Sequence, residues 1–544
     1  MKAPACLSAL AFLGIATCIA PAAEPGPLIH HSSIGVTRSG ATIRCQFDKD
    51  VLNPALKKPR ILVVGGLDGR KESVEAATRA VEAFHQGSKQ EAAALISLVP
   101  DVRPDLQAGE EVTPMHFPPA GNAYNQPEND VAHYLWRWMG MQAPDRVILV
   151  TSAADASAAS LARALGEAPA CEMGVIPCTV VEPAHASDAL SAAADSNKPS
   201  AARQELERRV NRNAVEVAEE LAKVYGHKLD PVVYIPALAI VGRMRLGELK
   251  GDDSALRDAE RICAPYRSGE KESMPANGNG STISGHLVFS ELARRSGDAA
   301  WTALARKAAD YGFDGQGRPK ESMPFHSEMS DSVFMGCAIL AETGALTGDS
   351  KYFGQCLRHL RFMEKLCLRA DGIYRHSPLD ESAWGRGNGF PALGLSLSLS
   401  SLPRGSAEHA AFLKAYQNHL EALRKHQDPT GAWHQVIDHE ESYREFTSTC
   451  MITFAIVHGL RQGWLDPESW QPVVDKAWTA IKSRIGPEGR LVDVCTGTGK
   501  MNSLRDYLDR TAILGRDERG GAMGLMVATE IAFWERQKSG EKAR

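Results

Sequence analysis

A chain of 544 residues exceeds one ordinary domain and has room for at least two. With 44% hydrophobic and 23% charged residues its proportions are globular, which excludes a fibrous or wholly disordered protein. A formal net charge of −5 excludes the basic footprint of a nucleic-acid binder, so no nucleic-acid partner is expected, and an acidic ligand would have to be held by a few local cations.

Met1-Lys2, an apolar run from Leu7 to Ile19 and the small residues Ala20-Pro21-Ala22 follow the order of a secretory signal peptide over residues 1–22. Export to the periplasm or the exterior is expected. Ile15-Ala16-Thr17-Cys18 offers lipid anchoring as the alternative, although Thr17 is bulky for that position. The run is too short to cross a bilayer and none elsewhere is longer, so no membrane span is expected. The 11 cysteines show no metal-type spacing. Cys171 and Cys178 are the close pair, leaving room for one disulfide, while Cys337, Cys356, Cys367 and Cys450 fall in apolar helical patterns where cysteine serves as a small buried hydrophobe. Neither a metal nor another cofactor is expected.

Residues 28–200 read as α/β. Ile61 to Val64 is a short apolar strand running into Gly65-Gly66, with a helix through Phe84; Leu95 to Val99 and Val147 to Val150 are further strands. Val131 to Met139 and Ala153 to Ala170 have helical character, and the small, polar stretch Asp188 to Ala202 reads as a linker. Residues 204–540 change to helices. Leu206, Val210, Ala214, Val217, Leu221 and Val224 recur on one helical face, as do Cys356, Leu360, Met363 and Cys367. Gly317, Gly372, Gly431 and Gly489 each follow a helix, at separations of 55, 59 and 58 residues. A unit of that length holds one helical hairpin, and about six fit the remaining chain. Six hairpins close into a double ring of twelve helices; an open solenoid is the alternative.

Four segments carry polar and aromatic residues just beyond those turns. The richest is Tyr374-Arg375-His376 followed by Asp380 to Phe390, which includes Trp384, Arg386, Asn388 and Phe390 between glycines. An aromatic plane, a guanidinium and closely spaced glycines suit sugar recognition, since the ring covers C–H faces and arginine forks a carboxylate. An ordinary glycine-rich turn with Trp384 in the core explains the same residues. The second segment, His326 to Met335, holds Asp331 where a loop meets a helix, and an N-cap aspartate accounts for it equally. The third spans Gly431 to Asp438 with Trp433 and Gln435, then Glu445, Ser448 and Thr449. The fourth is Val494 to Gly499 with Thr498.

In this order the segments resemble the unsaturated glycuronyl hydrolases of glycoside hydrolase families 88 and 105, from about Asp230 to Glu535. The resemblance implies an (α/α)6 barrel, the six-hairpin glycosidase fold, acting on an oligosaccharide that ends in an unsaturated uronic acid. It assigns Asp331 as the one catalytic carboxyl, protonating C4 of the C4=C5 double bond and then accepting a proton from the water that attacks C5. Such a carboxyl calls for partial burial. It assigns His376, Trp384, Arg386, Asn388, Phe390, Trp433, Gln435 and Thr498 to substrate binding. The family's second, earlier aspartate has no counterpart: the corresponding stretch is Asn277 to His286, with Asn279 in its place. That departure keeps two other readings open, a polysaccharide lyase with a tyrosine or histidine base and a non-catalytic sugar-binding protein.

The N-terminal region is similar to zinc carboxypeptidases over Val63 to Gly69 and Glu72, with later pieces at Pro100 to Asp105, Pro127-Glu128 and Pro144 to Ile148. Asp68, Lys71 and Thr151 stand where that family's ligands belong, two histidines and a carboxylate. The resemblance therefore implies a degenerate, metal-free domain.

Overall fold

The computed structural model describes residues 29–53, 55–87, 93–107, 110–124, 131–325 and 328–540. The leader, Pro127-Glu128 and His326-Ser327 lie outside the described residues.

The N-terminal domain is a six-stranded sheet between helices. The strands are β1 (Ile29–Val36), β2 (Thr42–Asp48), β3 (Arg60–Val64), β4 (Leu95–Val99), β5 (Arg146–Val150) and β6 (Cys178–Val181), in the order β1-β2-β4-β3-β5-β6. β4, β3, β5 and β6 run parallel, while β2 and β1 add an antiparallel edge. The central strands are apolar throughout because both faces are covered. Ile61, Val63, Ile96, Leu98, Ile148 and Val150 pack on α1 (Lys71–Gln86) and a later helix, Ala186–Ala194. The alternate residues Leu62, Val64, Val99, Val147 and Leu149 face α2 (Ala132–Gln142) and α3 (Ala156–Glu167). Helix α4 (Ala186–Ala194) occupies the stretch read as a linker; its Ala186, Leu190 and Ala194 are buried against the sheet, and composition alone hid that face.

A second correction concerns Leu206 to Val224. The face is shared by two helices, α5 (Ala201–Asn211) and α6 (Ala214–Ala222), because Asn213 accepts from Glu216 N at 2.9 Å and starts a new helix with a capping box. Leu206 and Val210 pack toward the N-terminal domain, and Val217 and Leu221 into the barrel.

The barrel is a closed double ring. The inner helices are α7 (Tyr234–Lys250), α10 (Leu287–Ser296), α12 (Ala338–Thr347), α14 (Gly385–Ser401), α16 (Phe446–Gln462) and α19 (Glu518–Lys538), each packed on the next and α19 back on α7. α6, α8 (Ser254–Arg267), α11 (Ala299–Ala309), α13 (Ser350–Cys367), α15 (Ala407–Arg424) and α17 (Pro467–Ser483) form the outer ring. α16 is buried from Phe446 to Leu460 on every side, as an inner helix must be, whereas α13 buries one stripe around Cys356, Leu360 and Met363. A short helix, α9 (Gly280–Gly285), leads into α10, and another, α18 (Leu504–Leu508), precedes α19. Gly317, Gly372, Gly431 and Gly489 all have positive φ, between 70° and 94°. The flanking residues pair as isolated bridges at Phe313–Pro319, Leu368–Tyr374 and Ile485–Leu491, so the sequence repeat is a repeated tight turn at one end of the ring.

The helical half also holds short strands that the periodicity did not show. β7 (Trp433–His434) pairs with β8 (Arg444–Glu445), and β9 (Leu491–Cys495) with β10 (Ala512–Gly515). Asp493 is the bulged residue of β9, at φ 64°, and its carboxylate turns toward the N-terminal domain. There it meets Arg137 Nη1 at 2.6 Å and Tyr124 Oη at 2.8 Å, with both partners of the ion pair almost fully buried. The described cysteines are all free thiols, Cys171 and Cys178 included, so no disulfide joins that pair. No helix among the described residues is long and apolar enough to cross a membrane.

Removing one member of a buried ion pair strands the other, at about 3–5 kcal/mol. Asp493→Ala is expected to lower unfolding stability by that amount in a urea titration, while an exposed-pair control, Glu75→Ala, shifts it by less than about 0.5 kcal/mol.

Candidate active site

Asp331 lies at the start of a five-residue π-helical turn, Val333–Cys337, that runs into α12. Such turns widen the helix by one residue and recur at functional sites. An N-cap aspartate would accept from the backbone amides two or three residues on; Asp331 does not, and only its carbonyl receives Phe334 N and Met335 N, both at 3.0 Å. Its carboxyl is directed at His376, with Oδ2 3.1 Å from Nε2. The two atoms approach closely without an aligned hydrogen bond, since neither meets hydrogen-bond geometry.

The loop carrying Asp331 is held on both sides. Ser330 N donates to His376 O at 2.9 Å. From the outer ring, His359 on α13 accepts Met323 N at Nδ1 (3.1 Å), which leaves Nε2 protonated to donate to Ser332 O at 2.8 Å. Gly336 makes this approach feasible, because a Cβ there would stand 2.7 Å from His359 Nε2. Burial pushes the His359 pKa down to about 4.

His376 is fully buried between Trp384, at 4.4 Å between ring centroids, and Tyr507 on α18, whose hydroxyl is 2.9 Å from Nδ1. Tyr507 Oη also accepts Met501 N at 3.2 Å. The arrangement that uses each proton once has Tyr507 donating to Nδ1 and Nε2–H facing Asp331. Tyr234, at the start of α7, packs edge-on against Phe334 and Phe390. Its pKa is raised, first by burial; Arg386 and Arg519 work against the shift, and Asp331 and Asp517 work with it. Tyr234, Tyr507 and Arg519 were missed in the sequence because each stands alone outside the four segments. Arg519 is the more accessible cation of the two, its side chain 29% exposed and paired only with Asp517 of its own turn at 3.3 Å.

Several residues assigned to substrate binding have other work. Arg386 is 2% exposed; it lies over Trp384 and donates to Cys495 O (2.6 Å) and Thr496 O (2.7 Å), so two of its nitrogens hold β9 instead of forking a carboxylate. Asn388 is consumed by Tyr374 N, Tyr374 O and Trp384 O. Phe390 packs between Tyr234 and Phe334 inside the barrel. Trp433 is buried with its indole on Leu423 O, and Gln435 donates to Cys495 Sγ and Tyr507 O, one layer beneath the site. Thr498 is half-buried and bonds within its own loop to Thr496 O, accepting from Arg510. Asn279 is exposed and caps α9 through Thr282 N. Asp331, His376 and Trp384 are brought together.

The glycines of the Trp384 segment answer to packing. A Cβ on Gly385 would stand 2.6 Å from His434 O, on Gly387 2.9 Å from Ser330 Oγ and on Gly389 2.9 Å from Met451 Sδ. Alternate glycines let α14 start flush against α16 and against the Asp331 loop. Glu445 serves the same assembly, accepting Ser448 N (2.5 Å), Thr447 Oγ1 (2.6 Å) and Cys495 N (2.9 Å).

In the N-terminal domain Asp68 stands at the ends of β3 and β5 and accepts from Ser73 Oγ (2.6 Å), Arg70 N (3.1 Å) and Ser152 N (3.0 Å). The carboxylate thus ties these strand ends by hydrogen bonds. No group of three or more metal-ligating side chains occurs among the described residues.

The model of Glycosyl Hydrolase Family 88 matches residues 207–533, the whole of the ring. The chain belongs to that family. An unsaturated 3S-rhamnoglycuronyl hydrolase of Alteromonas sp. is 27% identical over 174 residues, 30% of this chain and 42% of that protein. The unsaturated rhamnogalacturonyl hydrolase YesR of Bacillus subtilis is 25% identical over 255 residues, 43% of this chain and 71% of that protein. Among solved structures, a family 88 glycosyl hydrolase from Bacteroides vulgatus shares the fold at TM-score 0.50 and 17% identity, covering 59% of this chain and 100% of its own. A polysaccharide lyase shares it at 0.51 and 17%, covering 61% and 99%, so the barrel alone does not separate hydrolase from lyase.

His359 gives the site a pH signature. Its folded pKa, about 4, lies below the ordinary 6.5, so its contribution is complete above pH 6.5 and is lost as pH falls from 6.5 to about 4, where unfolded chains take up a proton that the fold refuses. Denaturant titrations of His359→Gln between pH 7 and 4 are expected to show a flatter loss of stability than the wild type; parallel curves would contradict the assignment.

Proposed function

We propose that the barrel removes a terminal unsaturated uronic acid from an oligosaccharide by hydrating its C4=C5 double bond, with Asp331 as acid and then base. The observation that carries this is the pairing of Asp331 with the imidazole of His376 under Trp384, away from any direct arginine contact. The activities named for the Alteromonas and Bacillus relatives support it.

In this reading protonated Asp331 gives its proton to C4, and the ring oxygen's lone pair stabilises the cation at C5. Water then adds to C5 and its proton passes to Asp331, restoring the acid. The C5 hemiketal opens to a ketone, and the hemiacetal left at C1 releases the alcohol of the aglycone. Atoms balance with one water per bond cleaved, and general acid–base catalysis of each step is worth about 10²–10⁴-fold. His376, fixed by Tyr507, orients the Asp331 carboxyl. Trp384 offers the apolar face of the sugar a plane, and Arg519, rather than Arg386, supplies the cation for the uronate carboxylate.

Asp331→Asn is expected to cut kcat by at least about 10³-fold with KM nearly unchanged, followed as loss of the conjugated double bond's absorbance; undiminished turnover would remove the proposal. Arg519→Met should raise KM about tenfold or more with a smaller effect on kcat. The sign of the absorbance change tests the lyase reading, which Tyr507 beside His376 favours: a lyase creates the double bond, so absorbance would rise on an intact polyuronide. We further propose export through residues 1–22, supported by their charged, apolar and small-residue order; mature protein from the native host should begin at Ala23.

A further inference from the structure

A cavity of about 80 Å³ lies where α2 and α5 of the N-terminal side meet α17 and the β7–β8 pair, and none of its lining residues belongs to the Asp331 site. Four guanidinium groups line it, those of Arg60, Arg137, Arg444 and Arg484. Two are answered: Arg137 by Asp493 at 2.6 Å and Arg444 by Asp428 at 2.7 Å. Arg60 donates only to a carbonyl, Asn53 O. Arg484 is 5% exposed, forms no ion pair among the described residues, and makes one guanidinium hydrogen bond, from Nη1 to Ala480 O at 3.2 Å. Its Nε has no partner. Gln142, 6% exposed, also lines the cavity, and no described residue hydrogen-bonds its side-chain amide.

Asp493 and Asp428 act on Arg484 across the cavity, but these two carboxylates are shared among four guanidinium groups, so the cavity keeps an excess of positive charge. One stretch of the wall is apolar and aromatic, formed by Ile34, Leu206, Val210 and Trp138. At about 10–15 Å³ of such space per water the cavity holds roughly six waters, the room of a ligand of about ten heavy atoms. Phosphate or sulfate would answer the arginine and leave the apolar wall wet, and an oligosaccharide is too large. We propose that this cavity binds a small acid with one carboxylate on a six-membered ring, the carboxylate on Arg484 and Gln142 and the ring against the apolar wall. Half-buried Leu52, Thr430 and Thr479 border it and give access from solvent.

The test is calorimetric titration of the full chain with galacturonate, benzoate and inorganic phosphate in turn. One ring acid is expected to bind with one-to-one stoichiometry and to raise Tm; benzoate against galacturonate tells an aromatic acid from a sugar acid. Arg484→Met, which keeps the bulk and removes the charge, should weaken binding at least tenfold, and Gln142→Leu should weaken it measurably should the first variant fail to fold. Asp331→Asn should bind the same acid unchanged. The proposal is overturned by binding of phosphate alone, by absence of binding of all three, or by binding that survives Arg484→Met but is lost in Asp331→Asn.

Discussion

A carboxyl that must give up a proton and take it back has to be shielded from bulk water and from a permanent cation alike. In the mechanism we propose, Asp331 is that carboxyl: its side chain is 9% exposed, and its close partner is an imidazole. The nearby Arg386 is turned onto the carbonyls of Cys495 and Thr496, where it holds a strand. Much of the barrel's end follows from that requirement. His359 fixes the π-helical turn from the outer ring, His376 O anchors Ser330, and Gly387 lets the Trp384 segment lie against the Asp331 loop.

The N-terminal domain belongs to the same construction. Asp493, in the strand that Arg386 holds, is claimed from the other side by Arg137 and Tyr124. Arg137 also donates to Ala512 O, and Tyr124 stacks on Tyr443 at 4.9 Å. Arg505, in the helix that carries Tyr507, donates to Thr37 O at 2.9 Å. The β9–β10 pair and α18, which bring Tyr507 to His376, are therefore clamped between the barrel and a sheet domain whose own strand ends are tied by Asp68. The N-terminal sheet domain thus acts as a buttress for the barrel.

The ring was legible because its signal is repeated: four turn glycines near 57 residues apart and helical stripes between them leave few architectures. The approach of Asp331 and His376 was legible because both sit in ordered motifs. The finer assignments were not, for physical reasons. Arg386, Asn388 and Gln435 have the chemistry of sugar ligands, yet the same donors satisfy backbone carbonyls one layer down, and no sequence pattern tells the two uses apart. Phe390 and Trp433 are aromatic for packing. Tyr507 reaches His376 from a helix 131 residues away in sequence, placed by ring closure, which local periodicity does not encode. The β9–β10 pair escaped because β9 is short and buried on both faces, without the alternation that marks a half-buried strand, and β10 is only four residues long.

The central claim is that the site itself delivers the proton to C4, and deuterium reports this most directly. Turnover in deuterium oxide, with the product ketone reduced by borohydride as it forms to stop enolisation, fixes the label at C4. Enzymatic protonation by Asp331 predicts one deuterium on one face of C4. Direct cleavage of the glycosidic bond would instead release an enol that tautomerises in solution, and equal deuterium on both faces of C4 would contradict the account.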